Sequence, residues 1–126
     1  MTKYADFYHC QICGHVVSIA HSGNPALVCC GQPMTLLEPK TSDTGLEKHV
    51  PVIVPNGEST VIKVGSVEHP MTEEHYISFI ELEMRNGQRI RAKLSDKPEA
   101  EFNVKADDIA AAYEYCTLHG LWVARQ

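Results

Sequence analysis

The sequence predicts a mainly β protein, built as a small metal-stapled N-terminal module followed by a β-sandwich. Three observations carry that expectation. Four of the five cysteines crowd into the first thirty residues at a ligand-like spacing. A clean two-residue alternation of apolar and charged residues flanks Asn86-Gly87. Short β-branched runs separated by turn residues recur from residue 51 onward.

Residues 1–37 hold only three short apolar stretches, Val16–Ala20, Ala26–Val28 and Met34–Leu37. So small a unit cannot bury enough surface to fold unaided, and a bound metal is the expected staple. Glu38-Pro-Lys-Thr-Ser-Asp-Thr-Gly45 has the composition of a turn or linker, which sets the expected modules at 1–37 and 38–126. In the second module, Pro51–Val54 and Ser59–Val64 read as strands joined by the turn Pro55-Asn-Gly57. Ile80, Leu82 and Met84 before Asn86-Gly87, and Ile90, Ala92 and Leu94 after it, predict a type I′ hairpin with one buried face. Ala100, Phe102 and Val104 predict another half-buried strand. Asp107–Tyr113 is rich in helix formers behind an acidic cap, so a short turn or helix is expected there, giving way to a strand that ends near Cys116.

The composition, 44% hydrophobic and 21% charged, is that of a globular protein. A net charge of −5 argues against nucleic-acid binding, although it leaves room for a local positive spot beside a small-anion site. No apolar run is long enough to span a bilayer, and MTKYADFYHC lacks the apolar core of a signal peptide. A cytoplasmic location without membrane attachment is therefore expected. Cysteines stay reduced there, so clustered ones read as metal ligands.

Cys10, Cys13, Cys29 and Cys30 form C-x2-C, fifteen residues, then C-C. Four thiolates close a tetrahedral site for iron or zinc; a purely structural zinc ribbon is the plain alternative. The adjacent pair is unusual. In an extended segment neighbouring side chains diverge, so drawing both sulfurs to one ion should distort the tetrahedron. With the first site complete, Cys116 is left over. It lies three residues before His119 and Gly120, whose glycine suits a tight turn. His49, His69 and His75 also fall in loops or at strand ends of the predicted sandwich, whereas His9, His15 and His21 belong to the first module and are expected to be exposed. Each histidine alone is more often a surface or hydrogen-bonded residue than a ligand. One thiolate with several imidazoles suits iron or copper. No methionine follows His119, which weakens a blue-copper reading.

These residues resemble the desulfoferrodoxin family, the two-iron superoxide reductases. The likeness runs in order along essentially the whole chain: C-x2-C…C-C, Glu47-Lys48-His49-Val-Pro, Gly65-Ser-Val-Glu-His69-Pro70-Met71, Glu74-His75-Tyr76, and Tyr115-Cys-Thr-Leu-His119-Gly. The resemblance implies a desulforedoxin-like module followed by an immunoglobulin-like β-sandwich, assembled as a homodimer. It implies two irons per chain. One would sit on Cys10, Cys13, Cys29 and Cys30. The other would sit on His49, His69, His75 and His119, with Cys116 axial and the opposite position open in the ferrous state. Glu47 is similar to the carboxylate that fills that position in the ferric resting state. Lys48 looks like the cation that draws in superoxide and positions a proton-donating water. A donor such as rubredoxin would return the electron, and the resemblance also admits a calcium ion. The implied role is detoxification under oxidative stress.

Elementary chemistry agrees with that assignment. Neutral imidazoles and one thiolate leave a ferrous centre with net positive charge, which favours an anionic ligand. Lys48 adds local attraction despite the overall charge. An axial thiolate donates electron density to iron. Taken without the family, Glu47 and Lys48 are more often solvated loop charges, and Tyr115 and Trp122 are more readily core aromatics than packing around a thiolate. Two other functions remain open on residues alone: a non-catalytic electron carrier joining rubredoxin-like and cupredoxin-like parts, and a zinc-stapled structural module.

Overall fold

The computed structural model describes residues 1–24, 26–42, 48–65 and 69–126. Residues 43–45 of the expected linker, residues 66–68 and Glu47 lie outside the described residues. The chain forms two compact units, Met1–Glu38 and Pro39–Gln126.

In the first unit, β1 (Phe7–His9) lies between β2 (Val16–Ser18) and β5 (Thr35–Leu36), both antiparallel to it. A second small ladder pairs β3 (Val28–Cys29) with β4 (Gln32–Pro33). Among the described residues its buried apolar side chains are Phe7, Cys10 and Ile19. That core is too thin to offset the ordering entropy of the unit without a further cross-link.

The second unit is a sandwich of two antiparallel sheets. One has the order β10-β7-β6, with β6 at Pro51–Asn56, β7 at Ser59–Val64 and β10 at Glu99–Phe102. The other runs β12-β11-β8-β9, with β8 at Ile77–Met84, β9 at Arg89–Lys93, β11 at Ile109–Cys116 and β12 at Gly120–Arg125. Ile62, Val64 and Phe102 from the first sheet meet Ile80, Leu82, Met84, Ile109, Ala112 and Cys116 from the second, with Ile77 and Leu94 completing the core. Ile77 and Ile80 differ in parity yet share this core. The β8–β11 register shifts between Tyr115 and Cys116, which pair with Phe79 and Ile77. Such an irregularity re-aims side chains at the end of a strand, and here it lies at the strand end that carries Cys116.

Three expectations change in detail. The hairpin around Asn86-Gly87 forms, with Leu82 opposite Ile90, but not through a type I′ turn. Gly87 has φ +93° whereas Asn86 is not in the left-handed region. Gly87 N–H donates to Met84 O and Met84 N–H to Gln88 O, giving a three-residue loop with the glycine at its positive-φ position. The Asn86 carboxamide oxygen instead accepts the Gln88 N–H at 3.0 Å. The helical turn is confined to a 3-10 segment at Ala106–Asp108, and the alanine run is strand. Its propensity yields to cross-strand pairing on both sides, with β8 and with β12. Among the described residues there is no α-helix, and no helix is long and apolar enough to cross a membrane.

The third change concerns the charged face of the hairpin. Glu81 is buried, at 3% exposure. Arg89 Nε donates to its carboxylate at 2.9 Å, and Arg91 lies 3.7 Å from the other oxygen. The Arg89 guanidinium also sits 4.7 Å from the centre of the Tyr113 ring. Among the described residues, removing Arg89 leaves the buried carboxylate paired with the exposed Arg91. Arg89→Ala is expected to destabilise the sandwich by about 3 kcal/mol, read as a lowered denaturant midpoint; an unchanged midpoint would contradict the burial argument.

Candidate metal centres

The first candidate centre is built on two turns. Cys10 ends β1. Its carbonyl accepts from the Gly14 N–H and its own N–H donates to His15 O, each at 2.9 Å, so the chain folds into a knuckle between Cys10 and Cys13. Gly14 has φ +87°, which closes that turn. Cys29 ends β3 and Cys30 begins the β3–β4 turn. Cys30 has φ +53°, a left-handed conformation uncommon for a residue with a side chain. Extended backbone therefore ends between the two, and their sulfurs converge rather than diverge, 3.9 Å apart. Cys13 Sγ lies 3.5 Å from Cys29 Sγ. A tetrahedron with metal–sulfur bonds of about 2.3 Å has edges of about 3.8 Å, so these separations fit one ion. All four sulfurs lie within 4.8 Å of one another, and all five cysteines of the chain are free thiols.

The protonation of the cluster fits a cation as well. The Cys13 backbone N–H, with Cys10 Sγ as acceptor, holds the Cys10 thiol down to about 6. Sharing a hydrogen bond with Cys13 pushes Cys29 up to about 12 and raises Cys30. Cys10 is thus the first of these thiols to ionise, whereas Cys29 and Cys30 hold their protons until a cation replaces them. His15 and His21 are exposed as expected, whereas His9 is half-buried. His15 Nδ1 lies 3.0 Å from Cys13 Sγ, a contact the C-x2-C spacing did not foretell.

The second candidate centre gathers residues from four places in the sandwich. His49 precedes β6, His69 and His75 lie between β7 and β8, Cys116 ends β11, and His119 sits in the turn into β12. The rings make a closed circuit. Centroids are 4.8 Å apart for His49–His69, 4.8 Å for His69–His75, 5.1 Å for His75–His119 and 4.9 Å for His119–His49. Adjacent rings are steeply inclined, so the four stand like blades around a common centre. His69 Nε2 is 3.1 Å from His49 Nε2 and 3.6 Å from Cys116 Sγ. The ligand atoms of His49, His69, His75 and Cys116 all lie within 4.8 Å of one another; His119 joins through its ring contacts and stands outside that tighter group. His49, His69 and Cys116 are buried, and His75 and His119 are half-exposed.

Local hydrogen bonds aim these rings. His69 Nδ1 lies 2.7 Å from Pro70 O, so a proton on Nδ1 donates there and leaves Nε2 as the lone-pair nitrogen. Thr72 Oγ1 accepts from the His75 N–H at 3.1 Å and caps the loop that carries this ring. Thr117 N–H donates to Tyr76 O, and Tyr76 N–H returns a bond to Thr117 Oγ1, tying the Cys116 turn to the His75 loop. Gly120 pairs with Cys116 at φ +87°, closing the tight turn that its position suggested. Burial, and then the neighbouring Cys116 thiolate, push the Tyr115 hydroxyl upward. Tyr115 stacks on Phe79 at 6.0 Å, an aromatic packing role. Trp122 is buried, as expected of a core aromatic, and its ring also lies parallel to His49, 4.8 Å away at 13°. No spacing rule ties Trp122 to His49, because the pairing is made by strands distant in sequence.

Lys48, expected near the site, is half-buried and directly precedes His49. Its backbone packs on Gly65, where a Cβ would run into the Lys48 carbonyl oxygen. Thr72, Lys40 and Gly65 also belong to this surrounding structure. Of these, Thr72 carried the clearest sequence signal, standing three residues before His75 as helix-cap threonines stand before the amide they hold.

The chain matches two family models, "Desulfoferrodoxin, N-terminal domain" over residues 2–37 and "Desulfoferrodoxin" over residues 41–125. It is 50% identical over 124 residues to a desulfoferrodoxin homolog of Archaeoglobus fulgidus, covering 97% of this chain and 98% of that protein. It is 47% identical over 126 residues to the desulfoferrodoxin of Nitratidesulfovibrio vulgaris, covering 98% of each. Among solved structures, the superoxide reductase of Treponema pallidum superposes with a TM-score of 0.78 at 31% identity, covering 95% of this chain and 97% of that one.

Proposed function

The chain belongs to the desulfoferrodoxin family, and from that premise we propose that it is a superoxide reductase, catalysing O2•− + e− + 2H+ → H2O2. The observation that carries this reading is the closed circuit of four imidazoles with a buried thiol beside it. Four neutral nitrogens and one thiolate form a donor set suited to iron. On this reading residues 1–37 are a desulforedoxin-like module in which Cys10, Cys13, Cys29 and Cys30 hold one iron. Residues 38–126 are the catalytic sandwich, in which His49, His69, His75, His119 and Cys116 hold the other. Iron at the second centre, when bound, supplies one electron to superoxide, and an external donor such as rubredoxin restores it.

The protein's own residues do the rest. Burial of Cys116 keeps its sulfur from solvent and oxidants. The Pro70 carbonyl orients His69 by holding a proton on Nδ1. Lys48 brings positive charge beside His49 in a chain of net charge −5, drawing the anion inward and holding a water that delivers a proton. Glu47 would supply a carboxylate to the oxidised iron of the second centre, the role the family resemblance implies for it.

The deciding experiment is pulsed generation of superoxide over reduced, iron-loaded protein. Oxidation of the protein near the diffusion limit, without release of dioxygen, is expected; stoichiometric dioxygen would instead mean dismutation. Lys48→Ile is expected to slow the bimolecular step about tenfold at low ionic strength and to flatten its salt dependence. An unchanged low-salt rate would remove Lys48 from the attraction step.

A further inference from the structure

Lys40 lies outside every ligand-bearing motif, yet its contacts converge on the second centre. Its main chain is clamped to β12: the Lys40 N–H donates to Leu121 O and its carbonyl accepts from Val123 N–H, each at 2.9 Å, forming a parallel bridge opposite Trp122. Its side chain then turns toward the site. Nζ donates to the carbonyl of His119 at 2.9 Å and lies 5.0 Å from the centre of the Trp122 ring. Trp122 in turn is stacked on His49, and the His119 ring lies 4.9 Å from His49. One ammonium thus touches both the turn that carries His119 and the ring that backs His49.

An exposed lysine ordinarily contributes little through a single surface contact, because holding its long stem costs rotamer entropy. Here the backbone clamp has already placed Cα over Trp122, and the hydrogen bond and the cation–π contact restrain the same ammonium. The contact also fixes a full positive charge next to a ligand's carbonyl. Such a charge disfavours the more oxidised, more positive state of an ion held by that ligand.

We propose that Lys40 is a positioning residue for the second centre: it pins the His119 turn and the Trp122–His49 stack, and its charge raises the reduction potential of iron bound there. The inference rests on the reading of that centre as redox iron. The test uses the full-length, iron-loaded protein and its Lys40→Met and Lys40→Arg variants. Redox titration and iron removal by a chelator are each followed at the second centre's absorption, with the four-cysteine centre as internal reference and the denaturant midpoint of the sandwich as control for folding. Lys40→Met is expected to lower the midpoint potential and to release iron roughly tenfold faster from the second centre alone. Lys40→Arg, which keeps charge and donor, should restore both. Wild-type potential and iron retention in Lys40→Met would overturn the proposal, as would an equal potential shift in both variants. An iron-loaded wild type that leaves superoxide unreduced would sink the proposed activity while the potentials still decided the role of Lys40.

Discussion

Cys116→Ser is expected to abolish the reaction with superoxide, lowering its bimolecular rate by at least roughly a hundredfold, while the four-cysteine centre retains its iron and its spectrum. Cys116 is fully buried at the end of β11, and its sulfur lies 3.6 Å from His69 Nε2. A serine oxygen fits the space, so the sandwich should fold. It is a hard, weakly acidic donor, however, and does not become an anion near neutral pH as a metal-bound thiol does. The sulfur-to-metal charge-transfer band should vanish with the activity. The two centres use separate ligand sets from separate units, so the first should not sense the change. Retained turnover in the serine variant, with iron present at the second centre, would place the electron's path elsewhere.

Gly65→Ala is expected to be nearly as damaging, although Gly65 binds nothing. Its φ is +78°, and a Cβ would meet the Lys48 carbonyl oxygen and come within 2.7 Å of the Lys48 Cβ. Its N–H donates to Val50 O at 3.2 Å, on the far side of His49. The obstacle is backbone, so relief must come from moving the Lys48–Val50 segment and therefore the His49 ring. Strain from the left-handed conformation and the clash together should cost about 3 kcal/mol. Displacement of His49 from its stack on Trp122 should also lower iron occupancy of the second centre. Denaturant unfolding and iron content per chain report the two effects separately. A variant with normal stability and two irons per chain would show that this close approach does not position the site.

Much of the chemistry was legible in the chain because metal ligation depends on residue type and short spacing. C-x2-C and C-C announced one centre, while the surplus cysteine three residues before His119 only hinted at another, which the family resemblance completed. The strand pattern was legible for the same reason: alternation around Asn86-Gly87 and Pro55-Asn-Gly57 is local information, and both hairpins form. Local information failed where pairing partners are distant. The alanine run 110–112 is strand because β8 and β12 pair with β11 on either side. Glu81, which reads as a solvent-facing carboxylate, is buried because Arg89 and Tyr113 cover it from neighbouring strands.

The sequence by itself determined which side chains are able to bind metal and set four cysteines apart as one group, since donor chemistry and cysteine spacing do not depend on the rest of the fold; the histidines were grouped with Cys116 only through the family resemblance. Only the tertiary structure decided how those donors are aimed. The left-handed backbone at Cys30, the Pro70 carbonyl on His69 and the Trp122 ring on His49 each set an orientation. So do the approach of Gly65 to Lys48 and the reach of Lys40 to His119. Several of these contacts join residues tens of positions apart, and such contacts exist only once the sheets have paired. Orientation at a metal centre is a property of packing, and packing is non-local.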